Sequence, residues 1–140
     1  MNKMVRMEEE EKEYDLCGRV IGAAMKVHST LGPGFLESVY QNALIWELRK
    51  VGIKAEAERP ITVRYDGQIV GALTADLLVN DIVIVELKVS SAIAKIHEVQ
   101  VVNYLVATGL DEGLVLNFGA ERLEFKKKFR RPKQDGEVSF

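Results

Sequence analysis

Residues 71–90, GALTADLLVNDIVIVELKVS, decide how this chain is read. The stretch has the composition of buried strands, yet it carries Asp76, Glu86 and Lys88 among Leu, Val and Ile. A charge taken out of water without a partner is costly, so such groups are normally neutralised, paired or coordinated. Ile82–Val85 is apolar at both parities, which predicts a strand covered on both faces. Glu86 and Lys88 then share a face, because side chains alternate along a strand. Where Asp76 points depends on the turn. A two-residue turn at Asn80-Asp81 would pair Val79 with Ile82 and set Asp76 opposite Val85, away from Glu86. A three-residue loop, 80–82, would pair Val79 with Val83 and set Asp76 directly across from Glu86. One residue of register separates a constellation from a scatter of charges, and we expect the odd register. In it two carboxylates lie side by side, which is unfavourable unless positive charge sits between them. Lys88 supplies one charge, and a hard divalent cation with oxygen ligands, Mg2+ or Mn2+, would supply the rest. The alternative reading is a solvated Glu86–Lys88 pair at a strand end, with Asp76 unrelated.

Working outward, residues 14–30 place Leu16, Val20, Ala23, Ala24, Val27 and Leu31 at helical spacing. LGPG (31–34) breaks that helix, and a second runs from about 35 to 50 and stops at Gly52. The period then changes to two. ITVRY and QIVGA, joined by Asp66-Gly67, predict a type I′ hairpin. Strands follow at about 72–79 and 82–89, a helix at 93–108 ending at Gly109, and two short strands, GLVLNF and RLEFKKKF. The expected order is α-α-β-β-β-β-α-β-β, an α/β fold with a mixed sheet packed against helices. We expect one domain over residues 14–128, between a flexible acidic N-terminus (1–13) and a basic tail (129–140).

With 140 residues, 47% hydrophobic and 29% charged, the chain has the composition of a single globular domain. No stretch approaches the roughly 20 apolar residues that span a bilayer, and the start, MNKMVRMEEEEKEYD, lacks the apolar core of a secretory signal. The expectation is a cytoplasmic protein with no membrane association. The net charge of −2 is unevenly spread. Residues 8–13, EEEEKE, are acidic, whereas 122–133, RLEFKKKFRRPK, hold seven of the 19 Lys and Arg. That second run reads either as a phosphate-binding patch or as a basic edge strand blunted against aggregation. The lone Cys17 falls among apolar neighbours and reads as a buried thiol.

The residues also form a familiar set. ADLLV…VIVELK resembles the Asp…Glu-x-Lys signature of the PD-(D/E)xK nuclease superfamily. GFLESVY, with Gly34, Glu37 and Tyr40, resembles the motif of the GxxExxY protein family placed in that superfamily. LGPGFLESVYQNAL, ADLLV, VIVELK, QVVNYL and GLVLNFG occur in the family's order and cover nearly all of residues 16–126. The resemblance implies a restriction-endonuclease-like core, and metal ligation by Asp76, Glu86, the backbone carbonyl of Leu87 and, from the early helix, Glu37. It gives Lys88 the attacking water and the scissile phosphate. QVVNY is similar to the Gln-x-x-x-Tyr motif of the exonuclease branch, which marks Gln100 as catalytic and Tyr104 as substrate-binding. Ala75 stands where the superfamily's eponymous Pro would be.

The implied activity is hydrolysis of phosphodiester bonds in nucleic acid, DNA first, with Mg2+ or Mn2+ as cofactor. A homodimer is an expected way to cut two strands. The alternative is a catalytically inactive nuclease-fold module that binds nucleic acid or a protein partner, which the short length and mildly acidic charge favour. On a helical wheel Glu37 and Glu47 both fall in the apolar sector; only Glu37 is in the first turn, where the helix dipole favours an anion. Gln100 and Tyr104, four apart, share a helix face, and Tyr104 taken alone reads first as core. His28 and His97 read as structural.

Overall fold

The computed structural model describes residues 16–130. The acidic segment 1–13 and the tail beyond 130 lie outside the described residues. Helix α1 (Leu16–Leu31) buries Leu16, Cys17, Val20, Ala24, Val27 and His28, a stripe at spacings of three and four. Helix α2 (Glu37–Lys50) buries Tyr40, Leu44, Ile45 and Leu48 in the same way. It ends where Gly52 takes φ 78°, with the Ile53 N–H returning to the Leu48 carbonyl. Then come β1 (Ala55–Tyr65), β2 (Gln68–Val79), β3 (Val83–Lys88), α3 (Lys95–Thr108), β4 (Glu112–Asn117) and β5 (Glu124–Phe129).

The five strands lie in the order β1-β2-β3-β4-β5, antiparallel throughout except for the parallel pair β3–β4. A parallel pair needs a crossover, and α3 supplies it. The two faces of the sheet have separate cores. Val83, Val85 and Leu87 of β3 pack with Leu77, Val79, Leu114 and Leu116 under α1 and α2. Ile84 packs with Val115, Leu78 and the α3 residues Val101, Tyr104 and Leu105 on the other face. The central strand is therefore covered twice, as its unbroken apolar run predicts. Each fully buried Leu or Val contributes about 1.5–3 kcal/mol.

One element differs from the sequence reading. The two strands expected at 68–72 and 72–79 are one twelve-residue strand, β2, so the order is α-α-β-β-β-α-β-β. The reason lies in its partner. β1 begins at Ala55, six residues before the apolar alternation starts, and so pairs with β2 from Gln68 to Val79 with one gap and one bulge. Gly71 merely faces Val63 at the register shift of a bulge. Pro60 is tolerated in β1 because that strand is an edge. Asp66 and Gly67 take φ of 53° and 76°, the left-handed pair that a type I′ turn requires.

Two further expectations are adjusted at the C-terminus. Phe129 belongs to β5 rather than to a tail, and Arg130 is held by Asp111 through a backbone bond and a 2.9 Å ion pair. Much of the basic edge is paired too, Lys128 with Glu98 at 3.2 Å and Lys127 with Glu112 at 3.9 Å. The blunted-edge reading fits these pairs.

Helix α3 seats against β4 at Gly113, where an added Cβ would lie 2.5 Å from Val101 Cγ1 and 3.2 Å from the Ile84 carbonyl. Gly113→Ala is therefore expected to lower stability by about 1–3 kcal/mol through overpacking, measured as the shift in urea midpoint. An unchanged midpoint would mean that the helix seats elsewhere.

Candidate metal centre

Between β2 and β3 the strands pair Val79 with Val83, Leu78 with Ile84 and Leu77 with Val85. The loop is 80–82, the odd-length alternative. It is pinned by Asn80, whose backbone N–H donates to the Lys54 carbonyl while its side-chain oxygen accepts from the Lys54 N–H. Asn80 and Asp81 take φ of 50° and 59°, a conformation that Asn and Asp tolerate better than other non-glycine residues. The next pair in this register is Asp76 with Glu86, and there the ladder changes character. The Asp76 N–H donates to Glu86 Oε1 at 2.9 Å, and the Leu87 N–H donates to Asp76 Oδ2 at 2.8 Å. Each carboxylate satisfies the other strand's backbone in place of a carbonyl. The second oxygen of each carboxyl is left free of these backbone donors.

Glu86 is only 2% exposed, and Asp76 is half-buried. Burial, and then the neighbouring Asp76 carboxylate, push Glu86 up to about 8. Burial also raises Asp76, against the lowering effect of the Leu87 N–H and of Lys88. Near neutral pH the pair accordingly holds a shared proton, the commonest way for two adjacent buried carboxyls to avoid a double charge. The α2 N-terminus brings in a third. Glu37 is raised by desolvation first and by Asp76 second, and a hydrogen bond links the two side chains. Tyr40, one turn on, explains why the helix starts where it does. Its hydroxyl donates to the Gly32 carbonyl and accepts from the Phe35 N–H, and its ring stacks on Phe118 with centroids 4.6 Å apart. The Gly-Pro-Gly loop is thereby fastened so that the first residue of α2 overlooks the carboxyl pair.

A family model for the PD-(D/E)xK nuclease superfamily matches residues 14–131. The chain belongs to this superfamily. No curated protein matches it. Among solved structures it is similar to the crystal structure of SSO0001, at 16% identity and a TM-score of 0.52, covering 69% of this chain and 50% of that one. The chain thus spans half the length of that protein, and the likeness is one of fold.

In this PD-(D/E)xK domain the residues marked from sequence fall on both sides of β2 and β3. Lys88 follows Glu86 on the same face and lowers the carboxyls of Asp76, Glu86 and Glu37, without forming an ion pair within 4 Å among the described residues. The Lys88 carbonyl accepts from Phe118 N–H on the β4 side, so the Leu87 carbonyl points the opposite way, toward Asp76. Gln100 Nε2 donates to the Tyr104 hydroxyl at 2.8 Å, and Tyr104, buried on α3, is raised by burial and then by Glu86. Tyr104 is thus a core residue of the α3 side whose hydroxyl lies within the electrostatic reach of Glu86.

Among the described residues, no group of three or more His, Cys, Asp and Glu side chains is disposed as a ready-made metal cage. Asp76, Glu86 and Glu37, with the Leu87 carbonyl turned to the Asp76 side, offer only oxygen donors, the kind that a hard divalent cation takes. Glu37 stands at an exposed rim.

The remaining candidates are structural. Glu47 pairs with Lys26 and Lys50. His28 Nε2 lies 2.9 Å from the Ala120 carbonyl, and His97 Nδ1 accepts the Ala94 N–H at the start of α3. Cys17 is pushed up to about 12 by burial and by Glu112, which makes it an inert thiol. Two participants were missed. Glu58, of β1, sits opposite Asp76 at a gap in the β1–β2 pairing, and it raises both Asp76 and Glu37. Gln41 Nε2 donates to Glu58 Oε1 and to the Asp76 carbonyl, each at 2.9 Å. Extending β1 back from the Asp66-Gly67 hairpin would have brought Glu58 to this position.

The raised carboxyls make a stability prediction. Glu86 binds its proton more tightly in the folded than in the unfolded chain, where its pKa is near 4.5. That stabilisation is complete below about pH 4.5 and is lost as pH rises through about 8. Metal-free protein should therefore lose up to about 4 kcal/mol between pH 5 and 8.5, read from urea unfolding, and Glu86→Gln should flatten most of that slope. An equal slope in the variant would show that the proton sits elsewhere.

Proposed function

We propose that this domain is a metal-dependent nuclease that hydrolyses phosphodiester bonds of nucleic acid, with DNA as the first substrate to test. The observation carrying this reading is the placement of Asp76 directly across from Glu86, with Lys88 on the same face, in a chain of the PD-(D/E)xK superfamily. Asp76, Glu86, Glu37 and the Leu87 carbonyl would hold Mg2+ or Mn2+. Bound there, such an ion lowers the pKa of a water and offsets charge on a phosphate. The chain's own residues do the rest. Asp76 and Glu86 would hold the ion as carboxylates once their shared proton is given up to water, each fixed by one backbone N–H. Lys88, whose ammonium makes no ion pair within 4 Å among the described residues, orients the attacking water and stabilises charge developing on the scissile phosphate. Gln100 steadies the Tyr104 hydroxyl beside Glu86, where the pair contacts the phosphate or Lys88.

A second reading is a non-catalytic module on the same fold that binds nucleic acid or a protein. The open cage favours it. No helix among the described residues is long and apolar enough to cross a membrane. We also infer cytoplasmic residence, and homodimerisation as the means of cutting both strands.

Two measurements separate the readings. Incubated with plasmid, linear and branched DNA in Mg2+ or Mn2+, the wild type should cleave, EDTA should stop it, and Lys88→Ala should lower the rate by roughly 100-fold or more. No cleavage by the wild type, or equal cleavage by the variant, removes the nuclease reading. Separately, Mn2+ should raise the melting temperature by mass action on the folded state, and Glu86→Ala should abolish the rise.

A further inference from the structure

Asp76 lies where the sheet's own hydrogen bonding lapses. On the β1 side the pairing runs from Ala57–Leu77 to Arg59–Ala75 and skips Glu58 and Asp76 between them, Glu58 taking φ 53°. On the β3 side regular pairing stops at Leu77–Val85. The alternation of faces is interrupted at the same point, since Leu77 is buried under α1 and α2 while Ala75 is buried under α3. A peptide unit in such a gap must find its partners among side chains. The Asp76 N–H finds Glu86, and its carbonyl finds Gln41. Two side chains, one from β3 and one from α2, therefore fix the backbone that carries the central carboxylate.

Gln41 is also placed to set the third carboxyl. It stands four residues after Glu37, hence one turn along the same helix face. Its amide has two N–H groups, and they meet β2 at the Asp76 carbonyl and β1 at Glu58. The first turn of α2 is thus tied to both strands at the level of the gap, and Glu37 reaches Asp76 from that anchored turn. The side chain is half-buried and polar, and it contributes nothing to either hydrophobic cluster.

We propose that Gln41 is a positioning residue of the cation centre: by holding the Asp76 carbonyl and Glu58 together, it sets the span between Glu37 and the Asp76–Glu86 pair and so the affinity for a divalent cation. The inference rests on the reading of this cluster as a cation centre. It makes Gln41 an outer partner of the ligands, where substitutions typically weaken metal binding 10- to 100-fold.

The test is calorimetric titration of the full chain with MnCl2, for wild type, Gln41→Leu, Glu58→Gln and, as a control, Asn42→Leu on the exposed side of the same turn. Gln41→Leu should bind Mn2+ roughly 10- to 100-fold more weakly, while its metal-free melting temperature moves by no more than about 4 °C. Glu58→Gln should weaken binding less, because the bond to Asp76 remains, and Asn42→Leu should bind as wild type does. If wild type binds Mn2+ and Gln41→Leu binds it equally well, the role of Gln41 is overturned and the cation centre stands. If wild type does not bind Mn2+, the cation centre itself fails and the inference falls with it. Should Gln41→Leu not fold, a crystal structure of the wild type with Mn2+ decides. Gln41 still bonded to the Asp76 carbonyl, with Glu37 on the ion, upholds the proposal; Gln41 released from that carbonyl overturns it.

Discussion

The structure turns on one exchange of hydrogen bonds. At the pair Asp76–Glu86 each strand offers the other a carboxylate where a regular ladder would offer a carbonyl. A carbonyl in that place would leave two buried acids with nothing to accept. As built, each acid is held by a backbone donor and oriented by it. A charge-assisted bond of this kind is roughly twice as strong as a neutral one. The cost is electrostatic, because the same bonds hold two carboxyls close in a poorly solvated place. Burial, and then the Asp76 carboxylate beside it, displace Glu86 upward, so the pair retains a proton near neutral pH.

The surrounding elements serve this exchange in separable ways. The apolar residues of β3 anchor it between two cores, so the strand bearing Glu86 and Lys88 cannot slide. Asn80 and its bonds to Lys54 fix the turn and with it the register. Tyr40 fastens the glycine-rich loop, which determines where α2 begins and hence where Glu37 stands. At the far end of β3, buried Asn117 grips Ser90 through both its oxygen and its nitrogen and bonds Glu124 as well. The backbone leaving Lys88 is held there, while the ammonium itself is not bound to a carboxylate.

The centre is also asymmetric in exposure. Glu86 is sealed beneath α3, Asp76 is half-buried, and Glu37 faces solvent at the rim. Desolvation thus falls steeply across three carboxyls joined by hydrogen bonds. The inner two carboxyls are set by the sheet and the outer one by a helix end.

Much of the fold was legible because it depends on local chemistry. Helix stripes, the glycine stops, the Asp66-Gly67 turn and the doubly apolar run at 82–85 each follow from spacing and backbone preference, and the Asp…Glu-x-Lys signature resembled that of the superfamily to which the chain belongs. Which carboxyls are candidates was legible too, since charged residues inside strand-like sequence stand out. The sequence could not decide whether Asp76 meets Glu86, because two- and three-residue loops both satisfy Asn80 and Asp81; the contact with Lys54, 26 residues away, settles it. It also misplaced the boundary within β2, since strand continuity depends on how far the partner strand extends rather than on the glycine at 71. Glu58 could have been found only by extending β1 back from its hairpin, and Gln41 gave no sign of belonging to the site. Their roles come from a gap in strand pairing and a helix laid across it, and such long-range contacts form only when the chain is folded.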